Sequence, residues 1–354
     1  MRNELDRLLA SVPLPDAAAG ETARARWDAL AKPLGSLGLL EDAVAQIAAL
    51  TGSADVCLSR RTLLVFCADN GVVQRGVTQC GSAVTASVAG DLAAGHSAVS
   101  PMARLANCEV LPVDVGMATE APVPGVPDRR VQTGTGDIST GPAMMREACI
   151  RTIETGTALA MEQARQGVRI LLVGEMGIGN TTTAAAVTAA LLEIDPEDVV
   201  GRGAGLSDAG LSRKREAVRA ALHVNQPDAE DPVDVLAKVG GLDLAAMCGA
   251  YLGAAAARLP VLMDGFISSV AALCAVRLCP AAAHAILASH VSPEPAAQTV
   301  LDAMEKRPLL TAGLRLGEGS GAVAALPLLD MALAVFHSGE TFARRGIEPY
   351  KRLS

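Results

Sequence analysis

Residues Val168 to Ala190 read VRILLVGEMGIGNTTTAAAVTAA, and the fold follows from this stretch. Ile170 to Val173 is a run of β-branched and aliphatic residues. Gly174, Gly177 and Gly179 come next, then Asn180 and three threonines, then an alanine-rich segment of good helix formers. The order is that of a strand, a glycine turn and a capped helix. Asn180 or Thr181 is the expected N-cap, because a short side-chain oxygen accepts from the N–H groups of a first helical turn. A helix start approached through glycines offers an anion those donors and a partial positive charge. One acid, Glu175, sits inside the turn. The glycine order G-x-x-G-x-G is neither a dinucleotide fingerprint nor a Walker A loop, so phosphate binding and tight helix-on-sheet packing both remain open.

The same pattern recurs on either side. TLLVFCADNG is an apolar run with Asp69 just past its end; CEVLPVDVGM ends at Asp114, VRILLVGE at Glu175 and LPVLMDGF at Asp264. Between these runs lie segments long enough for crossover helices, such as Ala83 to Leu105 and Met144 to Gln166. Alternation of this kind predicts right-handed βαβ units and a parallel sheet. Ligands of such sheets bind at the carboxyl ends of the strands, near a topological switch point. Four strands with an acid at that edge therefore say more than any one motif. Asp69 and Asp114 also suit hydrogen bonding to the turns that follow them. An acid cluster also suits magnesium, so a magnesium-dependent phosphotransferase using Asp69, Asp114 and Asp264 is one alternative. The five histidines show no metal-ligand spacing, and no metal or cofactor is expected.

Two further stretches carry chemistry. In VVGRGAGLSDAGLSRKREAV the glycines form a loop, Ser207 or Asp208 starts a helix, and Lys214 lies between Arg213 and Arg215. That lysine belongs either to a solvated basic face or to a phosphate site, as a point charge. LRLGEGSGAVAALPLLDMALAVF echoes the opening stretch: Gly317, Glu318, Gly319 and Gly321 lead into a helix of small apolar residues. Glu318 suits the positive end of a helix dipole, and it equally suits general-base work in a partly dry site.

Composition limits the possibilities. At 354 residues the chain calls for one large domain plus a smaller appendage. Half of the residues are hydrophobic but only 2% are aromatic, so the core must be built from small aliphatic side chains at close spacing. A net charge of −8 with so few aromatics argues against a nucleic-acid partner. Eight cysteines without a C-x-x-C pair predict buried thiols in a reducing cytoplasm. Leu244 to Ala257, the longest uncharged apolar run, is too short to span a bilayer. Residues 1 to about 50 read as helices interrupted by LAKPLGSLGLLED, with a helical period resuming over Leu37 to Leu50. The start, MRNELDRLLASV, carries charges through its apolar positions and reads as an amphipathic helix rather than a signal peptide.

KPLGSLGLLE, CADNGVV, GPAM, VGEMGIGNTT, GRGAGL with Lys214, KVGGLDLAAMCG, PVLMDGF, SHVSPE and RLGEGSGA resemble, in order and spacing, the motifs of the nicotinate-nucleotide:dimethylbenzimidazole phosphoribosyltransferases. The resemblance runs from about Asp28 to His337. It implies a doubly wound, mostly parallel α/β domain over 56–334 and a small helical domain made from residues 1–55 together with about 335–354. It also implies a homodimer with active sites near the interface. The implied reaction moves phosphoribose from nicotinate mononucleotide to the aromatic lower-ligand base of a cobamide, releasing nicotinate and forming the α-ribazole phosphate.

By motif, Glu318 is the implied general base and Glu175 a second essential acid. Gly174, Gly177, Gly179, Asn180, Thr181, Gly203, Lys214 and Asp264 hold the nucleotide and its phosphate, and Cys80, Val88, Met176 and Leu316 the base. The chain departs from the family pattern at Asn70, Cys80, Val88 and Met176, where histidine, serine, glutamine and leucine are usual. Losing the glutamine amide makes the base pocket more apolar, which opens phenol or p-cresol as an alternative acceptor, with a paralogous subunit as a partner. A catalytically silent partner subunit is the remaining alternative; the presence of both Glu175 and Glu318 counts against it.

Overall fold

The computed structural model describes residues 4–351. Each of the four apolar runs becomes a strand of one sheet: β1 (Arg61–Ala68), β2 (Glu109–Gly116), β3 (Ile170–Met176) and β4 (Val261–Met263). A fifth, β5 (Ile286–Ala288), lies beyond those that the sequence predicts; it is as short as β4 but ends in Ser289 and His290, without the acid and glycine that mark the other four. All pairings are parallel and the order is β2-β1-β3-β4-β5. The chain reverses its direction of travel across the sheet between β1 and β3, which creates the switch point where ligands of this architecture bind.

The helices, in chain order, are α1 (Glu4–Ser11), α2 (Ala17–Ala29), α3 (Leu39–Thr51), α4 (Ala83–Ala94), α5 (Val99–Leu105), α6 (Arg146–Arg165), α7 (Asn180–Leu192), α8 (Pro196–Val199), α9 (Asp208–Asn225), α10 (Pro232–Val239), α11 (Leu242–Ala256), α12 (Phe266–Leu278), α13 (Ala297–Ala303), α14 (Ser320–Phe336) and α15 (Phe342–Arg345). Side chains on a strand alternate between faces, and both faces are covered. Leu64, Phe66, Leu171 and Val173 pack into the core shared with α6, α7 and α9 to α12. Leu63, Val65, Ile170 and Leu172 pack into the core shared with α2 to α5 and α14. The result is a three-layer, doubly wound α/β fold.

The terminal segments meet on the second face. Trp27 on α2 packs against Phe336 at the end of α14, ring centroids 4.9 Å apart, with the Arg26 guanidinium 4.4 Å from the Phe336 ring centre. Leu30 and Thr341 form an isolated bridge between the two segments. Residues 1–3 and 352–354 of these segments lie outside the described residues. Ser207 caps α9 through a hydrogen bond from Gly210 N–H, as its position predicts. All eight cysteines are free; six are buried, whereas Cys57 and Cys80 are exposed, against the expectation for thiols at large. Among the described residues no helix is long and apolar enough to cross a membrane. The apolar run at 244 is instead α11, whose residues from Leu242 to Ala255 are all buried.

Small residues let α11 and α6 touch backbone to backbone. A Cβ added at Gly249 would lie 1.9 Å from the Ile153 carbonyl oxygen, and one added at Gly156 would lie 1.8 Å from that of Ala246. The Thr157 hydroxyl donates to the Gly249 carbonyl across the same seam at 3.0 Å. A side chain inserted here has nowhere to go without separating the helices. Gly249→Val is therefore expected to lower equilibrium stability in urea by about 3 kcal/mol or more. Gly141→Ala, where nothing lies within 4 Å of the added carbon, should stay within about 0.5 kcal/mol of the parent. Equal stabilities would refute the packing account.

Candidate active site

The β3–turn–α7 stretch supplies the first wall of the site. Gly174 lies directly against the turn that precedes α14: a Cβ on it would sit 2.6 Å from the Gly319 nitrogen. That contact brings the two acid-bearing turns together. Gly317, Glu318 and Gly319 have φ of +82°, +58° and +80°. Glu318 is thus a non-glycine residue in the left-handed region, a conformation that needs support from its surroundings. Its Oε2 accepts from Val99 N–H at 3.2 Å, and α14 begins two residues later.

Glu175 and Glu318 line one cavity of about 300 Å³. It opens at the carboxyl edge of the sheet beside β3 and β4. The starts of two helices face it, α7 through Gly177, Asn180 and Thr181, and α12 through Gly265, Phe266 and Ile267. Helix N-termini present N–H groups and partial positive charge, so this side of the cavity favours an anion. Val88, Met176, Ile178, Leu314 and Leu316 supply apolar wall.

Asn180 corrects the capping expectation. The N-cap of α7 is Gly179, at φ +95°, and no side chain caps the helix. Asn180 is the first helical residue, and its Nδ2 donates to Glu175 Oε2 and, at 3.0 Å, to Asp243 Oδ2. Thr181 remains at the cavity wall and accepts from Lys214.

Lys214 is wholly buried, so the solvated-face reading is overturned. Nor does it line the cavity: Nζ donates to Thr181 Oγ1 at 2.9 Å and to the Gly201 carbonyl at 3.1 Å, behind the wall that Thr181 and Gly203 form. Gly203 N–H is held by Glu294 Oε1 at 3.1 Å. Burial pushes the Lys214 ammonium down to about 8, with the Glu294 charge opposing that shift.

Asp264 lines the cavity, yet its Oδ1 accepts from Gly321 N–H at 2.7 Å and Ala322 N–H at 3.0 Å. Its carboxylate anchors the start of α14, and as an acceptor at the cavity wall it suits the sugar hydroxyls of a nucleotide rather than its phosphate. Asp69 and Asp114 do not reach the cavity. Asp69 accepts from Ala118 N–H, and Asp114 from the N–H groups of Gly116 and Met117. Asp69 and Asp114 thus serve the stretch 116–118 after β2, and Asp264 serves the start of α14, so the three aspartates of the magnesium alternative are committed to backbone. Among the described residues no three His, Cys, Asp or Glu side chains gather as a metal ion would require.

Of the other expected residues, Val88, Met176, Gly177, Asn180, Thr181, Gly203 and Leu316 line the cavity. Gly174, Gly179 and Cys80 do not: Gly174 serves the approach of α14, Gly179 packs against Asn70 and Val73, and Cys80 is exposed. Asn70 is buried, and its Nδ2 donates to the Ile178 carbonyl at 3.4 Å, which ties the end of β1 to the α7 turn. His290, Ser292, Glu294, Phe266 and Arg315 also line the cavity and carry no expectation from sequence. His290 lies within SHVSPE, the only signal for it; its ring passes so close that a Cβ on Gly321 would lie 2.0 Å from Nδ1.

The acids are tuned by dryness and by each other. Burial pushes Glu175 up to about 8; the Asn180 amide opposes this, and the charges of Asp243, Asp264 and Glu318 add to it. Burial likewise holds Glu318 above the ordinary carboxylate range, against the Val99 N–H and the Ser97 hydroxyl. Partly buried and raised, Glu318 is suited to accept a proton from a bound molecule.

A family model described as phosphoribosyltransferase matches residues 12–347. Among curated relatives, the nicotinate-nucleotide--dimethylbenzimidazole phosphoribosyltransferase of Ruminiclostridium cellulolyticum is 44% identical over 333 residues, 94% of this chain and 95% of that protein. The protein of the same name from Halalkalibacterium halodurans is 41% identical over 344 residues, 97% of this chain and 96% of its own. The crystal structure of CobT from Thermus thermophilus superposes with a TM-score of 0.89 at 41% identity, covering 94% of this chain and 99% of that one. With the family model spanning nearly the whole sequence, the chain belongs to the nicotinate-nucleotide:dimethylbenzimidazole phosphoribosyltransferase family.

Proposed function

We propose that the chain transfers phosphoribose from nicotinate mononucleotide to 5,6-dimethylbenzimidazole, releasing nicotinate and forming the α-ribazole phosphate. One observation carries the reading: Glu175 and Glu318, far apart in the sequence, face a single cavity with two helix starts and a buried lysine behind its wall. The relatives' names supply the substrate pair.

The chemistry follows from the arrangement. The nucleotide phosphate sits towards the starts of α7 and α12, where N–H groups and the Lys214 charge behind Thr181 offset its own. The planar base lies against Val88, Met176 and Leu316. As one ring nitrogen attacks the ribose C1′, the other N–H becomes acidic, and Glu318 takes that proton. Attack opposite the departing nicotinate turns the β-linkage into α in one displacement. General-base help of this sort is worth about 10² to 10⁴ in rate.

A homodimer belongs to the same reading, supported by exposed Leu105, Met331 and Val335 on α5 and α14, which pack against each other. A cytoplasmic location is supported by the free thiols. A small helical domain from the two termini is supported by the Trp27–Phe336 contact.

Glu318→Gln should reduce turnover by about 10² or more while calorimetry still detects nicotinate mononucleotide binding; a wild-type rate would remove Glu318 from the base role. Lys214, lowered to about 8, loses its charge as pH rises through that value, so affinity for nicotinate mononucleotide should weaken above about pH 8. An affinity that is flat to about pH 9.5, well past that titration, would dissociate Lys214 from phosphate binding. In a competition assay read by mass spectrometry, dimethylbenzimidazole should outcompete p-cresol as acceptor; predominant transfer to p-cresol would overturn the acceptor assignment.

A further inference from the structure

Asp243 has no part in the reaction as described above, yet it is fully buried at the head of α11 and lies one amide away from Glu175. The link is Asn180, whose single Nδ2 donates to both carboxylates. An amide nitrogen has two hydrogens, so this bridge uses both. The two acids are held in fixed relation in a dry space, where two negative charges close together are costly.

The surroundings decide which of the two keeps a proton. Asp243 Oδ1 accepts from Leu244 N–H at 2.9 Å, and the residue is the second of a 15-residue helix whose positive end favours the ionised form. Glu175 has no such support; the Asn180 amide is its one hydrogen bond from the described residues. The titratable groups facing it are Asp243 on α11, which Asp69 faces in turn, Cys67 near the end of β1, Asp264 after β4 with His290 beside it, and Glu318 before α14. All of these but His290 are acidic groups. With Oε2 accepting from the amide, a proton on Glu175 belongs on Oε1, the atom turned towards Gly317 at the cavity wall.

We infer that Asp243 is a positioning residue whose negative charge, kept one amide away by the Asn180 bridge, holds Glu175 as a neutral carboxylic acid donating a hydrogen bond into the cavity while Glu318 works ionised. The inference rests on the phosphoribosyl-transfer reading for what the hydrogen bond meets: an oxygen of the bound sugar. Two carboxyl groups facing one cavity thereby take opposite protonation states, which is how paired acids come to divide acid and base roles. A neutral Glu175 also spares an anionic nucleotide one repulsive charge. The displacement of Glu175 to about 8 and of Asp243 to about 6 by burial agrees in direction with this division.

The test is infrared difference spectroscopy of the free enzyme, which needs no turnover. At neutral pH the wild type should show a protonated-carboxyl band that is absent in Glu175→Gln and disappears as pH rises through about 8. In Asp243→Asn the loss of a neighbouring negative charge should move that midpoint down by at least one pH unit, and the alkaline limb of kcat should move with it. One unit corresponds to a tenfold change in proton affinity. Asp243→Ser, smaller and equally uncharged, should show the same downward shift and carries the test if Asp243→Asn does not fold, whereas Asn180→Ala removes the donor to the ionised form and should move the midpoint up. No Glu175-dependent band at neutral pH, or an unmoved midpoint in a folded variant, overturns the inference. A chain that passes these tests but transfers no phosphoribose would instead refute the reaction assigned above.

Discussion

The site depends on a contact between two backbones. Gly174 in β3 and Gly319 before α14 approach so closely that neither tolerates a side chain: a Cβ on Gly174 meets the Gly319 nitrogen at 2.6 Å, and one on Gly319 meets Leu63 at 2.3 Å. Because β3 is central in the sheet, this contact fixes the start of α14 over the switch point. The carboxylate of Asp264 holds it there from the β4 side. Glu175 and Glu318 come to share a cavity because of that clamp.

Around that clamp the site solves an electrostatic problem. It is lined by acids, yet its reading requires it to hold an anionic nucleotide. The molecule answers by committing Asp264 and Glu294 at the cavity, and Asp69 and Asp114 behind it, to backbone N–H groups and by burying a lysine behind the wall. What remains at the cavity is one partly buried carboxyl group, Glu318, and a dry one, Glu175. Low dielectric works in both directions here: it strengthens the pull of helix ends on phosphate and raises the cost of any acid left ionised.

Much of this is legible in the sequence, for physical reasons that differ by residue. The strands announce themselves because a doubly covered parallel sheet needs uninterrupted apolar runs, and the acids announce themselves by standing at the run ends. β5 does not, since it is short, follows an alanine-rich stretch and has no acid at its end. Lys214 is ambiguous because two arginines flank it, and only the packing of α9 shows that the middle of the three points inward. Asn180 looks like a cap because caps are what asparagines at helix starts usually are. Its partner Asp243 lies in another motif altogether, so the bridge between them exists only in three dimensions. His290 stands at the cavity for the same reason, from a segment whose own pattern says nothing of a ligand.

The complete burial of α11 has a consequence for how the molecule comes apart. A helix sealed on all sides, with its neighbour α6 seated on its glycines, has no route to partial opening, so its amides can exchange with solvent only when the whole domain unfolds. Asp243 is at the head of that helix. The cavity is therefore tied at one corner to the most persistent part of the molecule, and its geometry should survive up to the global transition rather than loosen ahead of it.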